Sequence, residues 1–168
     1  LHCSSHGLMN DLLSMADEIQ EKINALPEYV IEIGVFSMKA KRKVKQTVKV
    51  GITNAELMYI HENGSPLQHI PARPVLDMTI RYANQNLLPR TLDKCITEYI
   101  KDFDESAIEK ELNKLCIRME NYARHIIYDN DGRLAPNSPR VAASKGGNHP
   151  LFNTGQLARS ITCRLVKI

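Results

Sequence analysis

The chain has 168 residues, a formal net charge of +3, 43% apolar and 24% charged residues, and no Trp. Its length suits a single domain over residues 1–168, and its composition is ordinary for a globular protein. The mild positive charge and the 5% of aromatic residues argue against a broad nucleic-acid footprint and against large stacking platforms. No apolar run approaches the roughly 20 residues that span a bilayer, so a membrane partner is not expected.

The start of the chain and the cysteines give little information about function. Residues 1–8 show no signal-peptide pattern and are predicted to be a flexible N-terminus. The four Cys residues are far apart in the sequence and form no CxxC pair. Cys116 and Cys163 stand at apolar positions, which predicts buried free thiols in a reducing compartment.

The N-terminal part predicts a helix followed by a β-hairpin. Asn10 is a candidate cap and Pro27 a stop for an amphipathic helix with one buried stripe. Residues 29–36 are β-branched and aromatic and predict a strand buried on most of both faces; residues 44–53 alternate and predict a half-buried strand that pairs with it. The stripe of the helix consists of Leu12, Met15, Ile19, Ile23 and Leu26.

The connection inside this hairpin is strongly basic. Residues 37–43 hold four cations and no acid, namely Lys39, Lys41, Arg42 and Lys43. A solvated hairpin tip is one interpretation. The other is a basic loop that contacts DNA or an acidic partner, which makes the 39–49 hairpin a candidate nucleic-acid-binding module.

A short helix and a proline-rich segment follow. Residues 54–63 predict a helix capped by Asn54 or Thr53 and ended by Gly64 in a left-handed conformation. Three prolines then predict that residues 65–74 are extended, and Pro74 can open the next helix.

The second half of the chain predicts two further helices, a loop and a strand. A helix over 91–103 has Thr91 as its cap and a stripe of Leu92, Ile96, Tyr99 and Phe103. A long core helix carries Ile108, Leu112, Leu115, Met119, Tyr122 and Ile126 at heptad-like spacing. Residues 130–150 predict a long loop, residues 156–159 a short helix capped by Asn153 or Thr154, and Ile161, Cys163 and Leu165 one face of a final strand.

These elements predict an α+β fold. A small antiparallel sheet, made of the hairpin and the C-terminal strand, is expected to pack against the first helix and the long helix. The helical region over 91–128 is expected to add a further layer.

No catalytic pattern is found. His61 and Glu62 do not form HExxH, because Ser65 stands where the second His would be, so a metal-dependent hydrolase using His61, Glu62 and His69 has little support. The chain has no Walker motif, no GxGxxG and no GxSxG. We therefore predict no enzyme activity, no catalytic residues, no metal and no cofactor.

Two segments resemble a known family. IHENG followed by IPARPVL resembles the segment HE-x-G … IPARPFL of small tail-component proteins of tailed bacteriophages, and KGGNHPLFNTGQLARSIT resembles the segment KG…PL-x-DTGQL-x-SI of the same family. The order and separation of the segments also agree, and the motif-bearing parts are residues 54–78 and 145–163. Two positions depart from the family pattern: Asn153 stands for a frequent Asp, and Val75 for a frequent Phe.

The resemblance implies a virion protein of the neck or tail-completion type. Such a protein forms a homo-oligomeric ring at the head–tail junction or tail end, contacts the connector or neck and the tail tube or tail terminator, and is assembled in the bacterial cytoplasm into the virion. Because DNA passes through the neck of such particles, a passing contact between DNA and the basic hairpin is also compatible with the resemblance. The residues carried over to a subunit or partner interface are His61, Glu62, Gly64, Pro71, Arg73, Pro74, Asn153, Thr154, Gly155, Gln156, Leu157 and Ser160.

The chemistry of these segments leaves several roles open. Arg73 can pair with Glu62 in its own domain or with a carboxylate of a neighbouring subunit. The backbone N–H groups at the start of the NTGQL helix can bond to Asn153 or to a partner. The loop over 130–150 is a candidate for ordering on assembly.

Overall fold

The computed structural model describes residues 5–36 and 51–168 of the chain. Its elements, in chain order, are α1 (Ser5–Asn24), β1 (Tyr29–Gly34), α2 (Asn54–Asn63), a 3-10 turn (Pro66–Gln68), α3 (Val75–Tyr82), a π-helical turn (Ala83–Leu87), α4 (Leu88–Asp102), α5 (Glu105–Tyr128), α6 (Pro139–Lys145), α7 (Gln156–Ser160) and β2 (Thr162–Lys167). The predicted α+β class is therefore confirmed. The basic connection and most of the predicted strand over 44–53 lie outside the described residues; the described end of that strand, residues 51–53, is not a strand.

The sheet pairs the strand that follows α1 with the last strand of the chain. Strands β1 and β2 are antiparallel, with Tyr29 opposite Lys167 and Gly34 opposite Thr162. The predicted final strand is confirmed, and Cys163 and Leu165 on its inner side pack on the core clusters. β1 is only half-buried, in contrast to the expected burial on both faces.

Helix α5 is the centre of the core. The predicted heptad-like stripe is confirmed, since Ile108, Leu112, Leu115, Met119 and Ile126 are all buried. The Asp104 side chain accepts a hydrogen bond from the backbone N–H of Ser106 and caps the helix. All three hydrophobic clusters contain residues of α5, so this helix connects the sheet, α3, α4 and α7.

A polar network ties the sheet to the start of α5. The Tyr29 hydroxyl donates a 2.5 Å hydrogen bond to Glu105 Oε1, and Lys167 from β2 pairs with the same carboxylate. Burial, followed by the hydrogen bond to Glu105, raises the pKa of Tyr29 well above its ordinary value. Lys167, together with Tyr29, lowers the pKa of Glu105. One carboxylate thus connects both strands to α5.

Helices α3 and α4 form a continuous rod through the π-helical turn. At this turn the Leu88 N–H donates to Ala83 O, a wider loop than in an α-helix. Pro89 explains the widening, because its ring would clash with a carbonyl one helical turn earlier. The predicted helix start at Thr91 is therefore wrong: Thr91 is buried within α4, and its hydroxyl donates to Leu87 O.

The apolar stripe predicted for this helix is half right, since Tyr99 is buried and Phe103 packs against the same core cluster. The buried positions of α4 are Thr91, Cys95 and Tyr99. Leu92 and Ile96 are 46% and 60% exposed. The described residues therefore leave the first half of this stripe uncovered.

Helix α1 differs most from the prediction. It begins at Ser5 rather than after an Asn10 cap, so part of the predicted flexible N-terminus is helical. Of its predicted buried stripe, Leu12, Met15 and Ile23 are 45–64% exposed. Among the described residues, α1 contacts the body of the fold at its C-terminal end, where the Tyr99 hydroxyl donates to Lys22 O.

The segment over 130–150 is more ordered than its composition suggests. It contains α6, whose N-cap Ser138 accepts a hydrogen bond from the Val141 N–H and precedes Pro139. Leu134 is buried in the largest core cluster, and the Asn130 side chain donates to Asn148 O. The segment predicted as a long loop therefore contains a helix and packs on the core.

The cysteines largely match the prediction. Cys116 is a buried free thiol and Cys163 a half-buried one. Their mutual hydrogen bond raises the pKa of the Cys163 thiol. Cys116 is buried in the core, and Cys163 packs against the core cluster of Leu115 and Met119.

The position of α5 in the core gives a direct stability prediction. Leu115 is 1% exposed, whereas Ile117, two residues on, is 59% exposed. Leu115→Ala should lower the free energy of unfolding by about 2–5 kcal/mol because it leaves a cavity, and Ile117→Ala by less than about 1 kcal/mol. Urea denaturation followed by circular dichroism measures both, and similar losses would contradict this assignment of the core.

Candidate interaction site

The IHENG segment forms the end of α2 and a tight turn. The helix begins with a capping box, in which the Thr53 hydroxyl accepts from the Glu56 N–H and the Glu56 carboxylate accepts from the Thr53 N–H. It ends at Gly64 as predicted, but not in the predicted left-handed helical conformation: its φ of 74° and ψ of 177° lie in a region accessible almost only to glycine. A Cβ at this position would lie 2.9 Å from Ala72 N and 3.0 Å from Ile70 O.

The segment after Gly64 is not extended throughout, which corrects the prediction. Ser65 and Ile70 exchange two backbone hydrogen bonds of 2.8 and 3.0 Å, with a 3-10 turn between them. His69 closes the turn in the left-handed conformation. Residues 71–74 form no regular element: the Arg73 N–H donates to His61 O at 2.5 Å, and the Val75 N–H donates to Arg73 O at 2.8 Å, which closes a tight turn at Pro74 with φ −79° and ψ 70°.

Glu62 caps the next helix rather than pairing with Arg73. Its two carboxylate oxygens accept from the N–H groups of Leu76 and Asp77, at 3.0 and 2.8 Å. A carboxylate at this position satisfies two N–H groups that the first turn of α3 leaves open and interacts favourably with the helix dipole. The predicted Arg73–Glu62 pair is therefore wrong, because both carboxylate oxygens of Glu62 accept hydrogen bonds from the first turn of α3.

Arg73 connects the proline-rich segment to the loop before α6. Its side chain is 4% exposed. Nε donates to Ala135 O and Nη2 to Pro136 O, both at 2.7 Å, and Nη1 lies 3.3 Å from His61 Nδ1. Burial lowers the pKa of the guanidinium, which donates to two backbone carbonyls and lies beside a His ring nitrogen. A directional bond from this guanidinium to a neighbouring subunit is thus not supported, since it is used inside the chain.

The NTGQL segment places α7 against the core. Leu157 and Ala158 are buried in the largest cluster, and the Ser160 hydroxyl donates to Leu157 O at 2.6 Å. The predicted caps are wrong: α7 begins after Gly155 in the left-handed conformation, without a side-chain cap. Thr154 instead accepts a hydrogen bond from Arg159 through its backbone carbonyl.

The two motif segments converge on one cavity of about 400 Å³. The 61–73 segment forms one wall, the 151–157 segment another, and the start of α6 completes it. Eight of the twelve residues predicted for an interface line this cavity: His61, Pro71, Arg73, Asn153, Thr154, Gly155, Gln156 and Leu157. Residues 74–150 separate the two walls along the chain, so the fold and not the local sequence creates this site.

The other four predicted residues act behind the cavity. Glu62 caps α3, Gly64 permits the turn, Pro74 precedes α3, and Ser160 is the buried last residue of α7. These residues shape the walls without facing the cavity.

The described lining of the cavity contains cations and no carboxylate. Arg73 lies in the wall, Lys145 reaches it from the end of α6, and His61 and His69 add two imidazoles. Lys145 Nζ donates to Phe152 O at 3.0 Å, which holds the rim together. An acidic or carbonyl-bearing group of a partner would meet complementary charge here.

Sequence reasoning missed part of this lining. Gln68, Asn137, Ser138, Val141 and Lys145 line the cavity but were not assigned to an interface. For Ser138 and Val141 a signal exists, because Ser-Pro at 138–139 is a helix start. Lys145 stands within the KGG segment that carries the resemblance. Asn137 has no local signal.

The described residues hold no group of three or more His, Cys, Asp or Glu side chains that could bind a metal ion. Within the same ranges, no helix has the length and apolarity needed to cross a membrane. Comparisons with models of protein families, with curated proteins and with solved structures give no match.

The contacts of Arg73 give the first prediction for this site. Arg73→Lys should lower the free energy of unfolding by about 2–3 kcal/mol, because a single ammonium cannot replace a planar guanidinium that donates to two neighbouring carbonyls. Arg81→Lys is the matched control: Arg81 pairs with Asp77 and its side chain is 74% exposed, so a change below about 0.5 kcal/mol is expected. Chemical denaturation compares them, and equal effects would contradict the bridging role.

A pair of glycines gives the second prediction. Gly64 and Gly132 both have positive φ, but a Cβ at Gly132 would meet nothing within 4 Å. Gly64→Ala should therefore destabilise the protein by about 1–3 kcal/mol more than Gly132→Ala, since only the former adds a clash with backbone. Thermal and urea unfolding of both variants measure the difference, and a Gly64 variant as stable as the Gly132 variant would show that the turn can relax.

Proposed function

We propose that this chain is a structural virion protein of a tailed bacteriophage. It forms a ring at the head–tail junction or tail end and is not an enzyme. The observation that supports this proposal most is the convergence of the IHENG–IPARP and NTGQL segments on one cavity. These are the two segments that resemble tail-component proteins, so the resemblance follows a shared surface and not two unrelated loops.

The arrangement of the cavity suits a contact between proteins. Its walls are held by the Arg73 bridge, by the Glu62 cap and by the Ser65–Ile70 pair, so little conformational freedom is lost on docking. Its cations favour an acidic segment of the neighbouring protein. In this proposal the neighbour is another copy of the chain, the connector or the tail end.

The direct test uses the tailed phage or prophage whose genome encodes the chain. Disruption of the gene should leave filled heads and separate tails, visible by negative-stain electron microscopy. Addition of the purified protein to such an extract should restore joined, infectious particles. Normal particles without the gene product, or its absence from purified virions by mass spectrometry, would refute the proposal.

Charge reversal at the cavity rim tests the site itself. Lys145→Glu should reduce joining activity by about tenfold or more, because it repels an acidic partner. Arg118→Glu on the exposed side of α5 reverses the same charge away from the cavity and should leave joining unchanged. Circular dichroism verifies that both variants are folded. Equal activity of the two variants would exclude the cavity as the contact while leaving the role of the protein open.

A further inference from the structure

Helix α1 exposes an apolar face. Its large apolar side chains from residue 9 onward are 45–65% exposed, with the sole exception of the half-buried Ile19: Met9, Leu12, Leu13, Met15 and Ile23. Leu12, Met15, Ile19 and Ile23 follow the spacing of 3 or 4 residues by which an amphipathic helix anchors in a groove. Within the described residues, nothing covers the first three turns of this face.

The body of the fold exposes a matching groove. It has a volume of about 610 Å³ and lies between the α3–α4 rod, α5 and β1. Its lining is almost wholly apolar, and the rim residues Ile80, Leu92, Ile96 and Ile100 are 44–60% exposed. Monomeric proteins rarely leave an apolar surface of this kind uncovered.

The helix cannot fill the groove of its own chain. Its last turn is fixed at the groove edge: the Tyr99 hydroxyl donates to Lys22 O at 3.1 Å, Lys22 Nζ lies 4.0 Å from the centre of the Phe103 ring, and Ile23 lines the groove. Leu12 stands 11 residues earlier on the same unbroken helix, about 16 Å away along the axis. To enter its own groove, this part of α1 would have to break the helix.

We propose that α1 of one copy docks in the groove of a second copy. The chain carries both halves of the contact, and the anchored end of α1 prevents it from satisfying the contact internally. This surface differs from the cavity described above. The inference deepens the proposed ring assembly, but it rests on that function only for the expectation that the copies close into a ring.

The area available decides how strong the contact is. Eight partly exposed large side chains, four on α1 and four on the groove rim, with on the order of 100 Å² each, offer roughly 800 Å² of apolar surface to bury. Stable interfaces bury about 1,200–2,000 Å² in total, so one such contact is weak. In a head-to-tail arrangement each copy donates one helix and receives another. Association should therefore depend on concentration and strengthen when a ring closes.

The experiment is sedimentation velocity of the full chain over a range of concentrations up to its solubility limit. Leu12→Glu alters the helix face and Ile96→Glu alters the groove. Ser14→Glu places the same charge on the opposite face of α1, and Ile117→Glu places it on an apolar residue of α5 that is as exposed as Ile96 but outside the groove. All four sites are exposed, so circular dichroism should show folded proteins.

The wild type and both controls should associate, whereas Leu12→Glu and Ile96→Glu should each weaken association about thirtyfold or more. A mixture of these two variants should form a one-to-one dimer, because the intact groove of the first accepts the intact helix of the second. Species larger than a dimer in the wild type indicate head-to-tail docking, and a wild type that stops at two copies indicates reciprocal exchange. Both support the proposal.

Three results would overturn the proposal. The wild type could remain monomeric at every concentration, or Ile96→Glu could associate as the wild type does, or the mixture could fail to form dimers. If Ile96→Glu associates normally but loses head–tail joining, the groove receives a different virion protein and not a second copy. Each of these results leaves the joining test of the proposed function to be decided on its own.

Discussion

The guanidinium of Arg73 is the interaction on which the candidate site depends. It bonds to two successive carbonyls, those of Ala135 and Pro136, and its third nitrogen lies beside His61. The planar guanidinium of Arg, with its several N–H donors, suits adjacent acceptors better than any other side chain does. Burying a cation is costly unless its hydrogen bonds are satisfied, so Arg73 and these carbonyls require each other. The bond fixes the distance between the proline-rich segment and the loop that leads to α6.

The other features of the site follow from that connection. Because the loop after Leu134 is held in place, α6 can begin at Ser138 and bring Lys145 to the cavity rim. Because Glu62 satisfies the first turn of α3, the rod that runs into α4 starts at a defined angle from α2. The motif residues thus act mainly inside the protein, and the surface that they shape is what a partner would contact.

Much of the fold could be predicted from sequence, for reasons that differ between elements. Helix α5 packs its apolar stripe against several neighbouring elements, so the spacing of its apolar residues alone was sufficient to predict which of them are buried. The start of α2 and its end at Gly64 follow from capping chemistry and from the freedom of glycine. For α1 and α4 the spacing of the apolar residues predicted burial that the structure does not show. Such spacing identifies an apolar face of a helix but not what covers that face. Thr91 was predicted to start a helix, but the π turn accommodates Pro89 and the helix continues from α3.

The site was predicted less completely than the fold. The motifs located both walls, yet the partners of Arg73 could not be predicted, because backbone carbonyls have no side-chain signature. The cap assigned to Asn153 or Thr154 failed because Gly155 adopts the left-handed conformation directly before α7.

The turn between Ser65 and Ile70 has a practical consequence. It is closed by its own two backbone hydrogen bonds, and Leu67 at its tip is 96% exposed and does not line the cavity. A short peptide inserted beside Leu67 would leave the closing pair intact, but Gln68 and His69 of the same turn line the cavity, so the insertion would stand at the rim of the proposed contact. A chain that folds with this insertion but no longer enters particles would therefore show that a partner covers this rim.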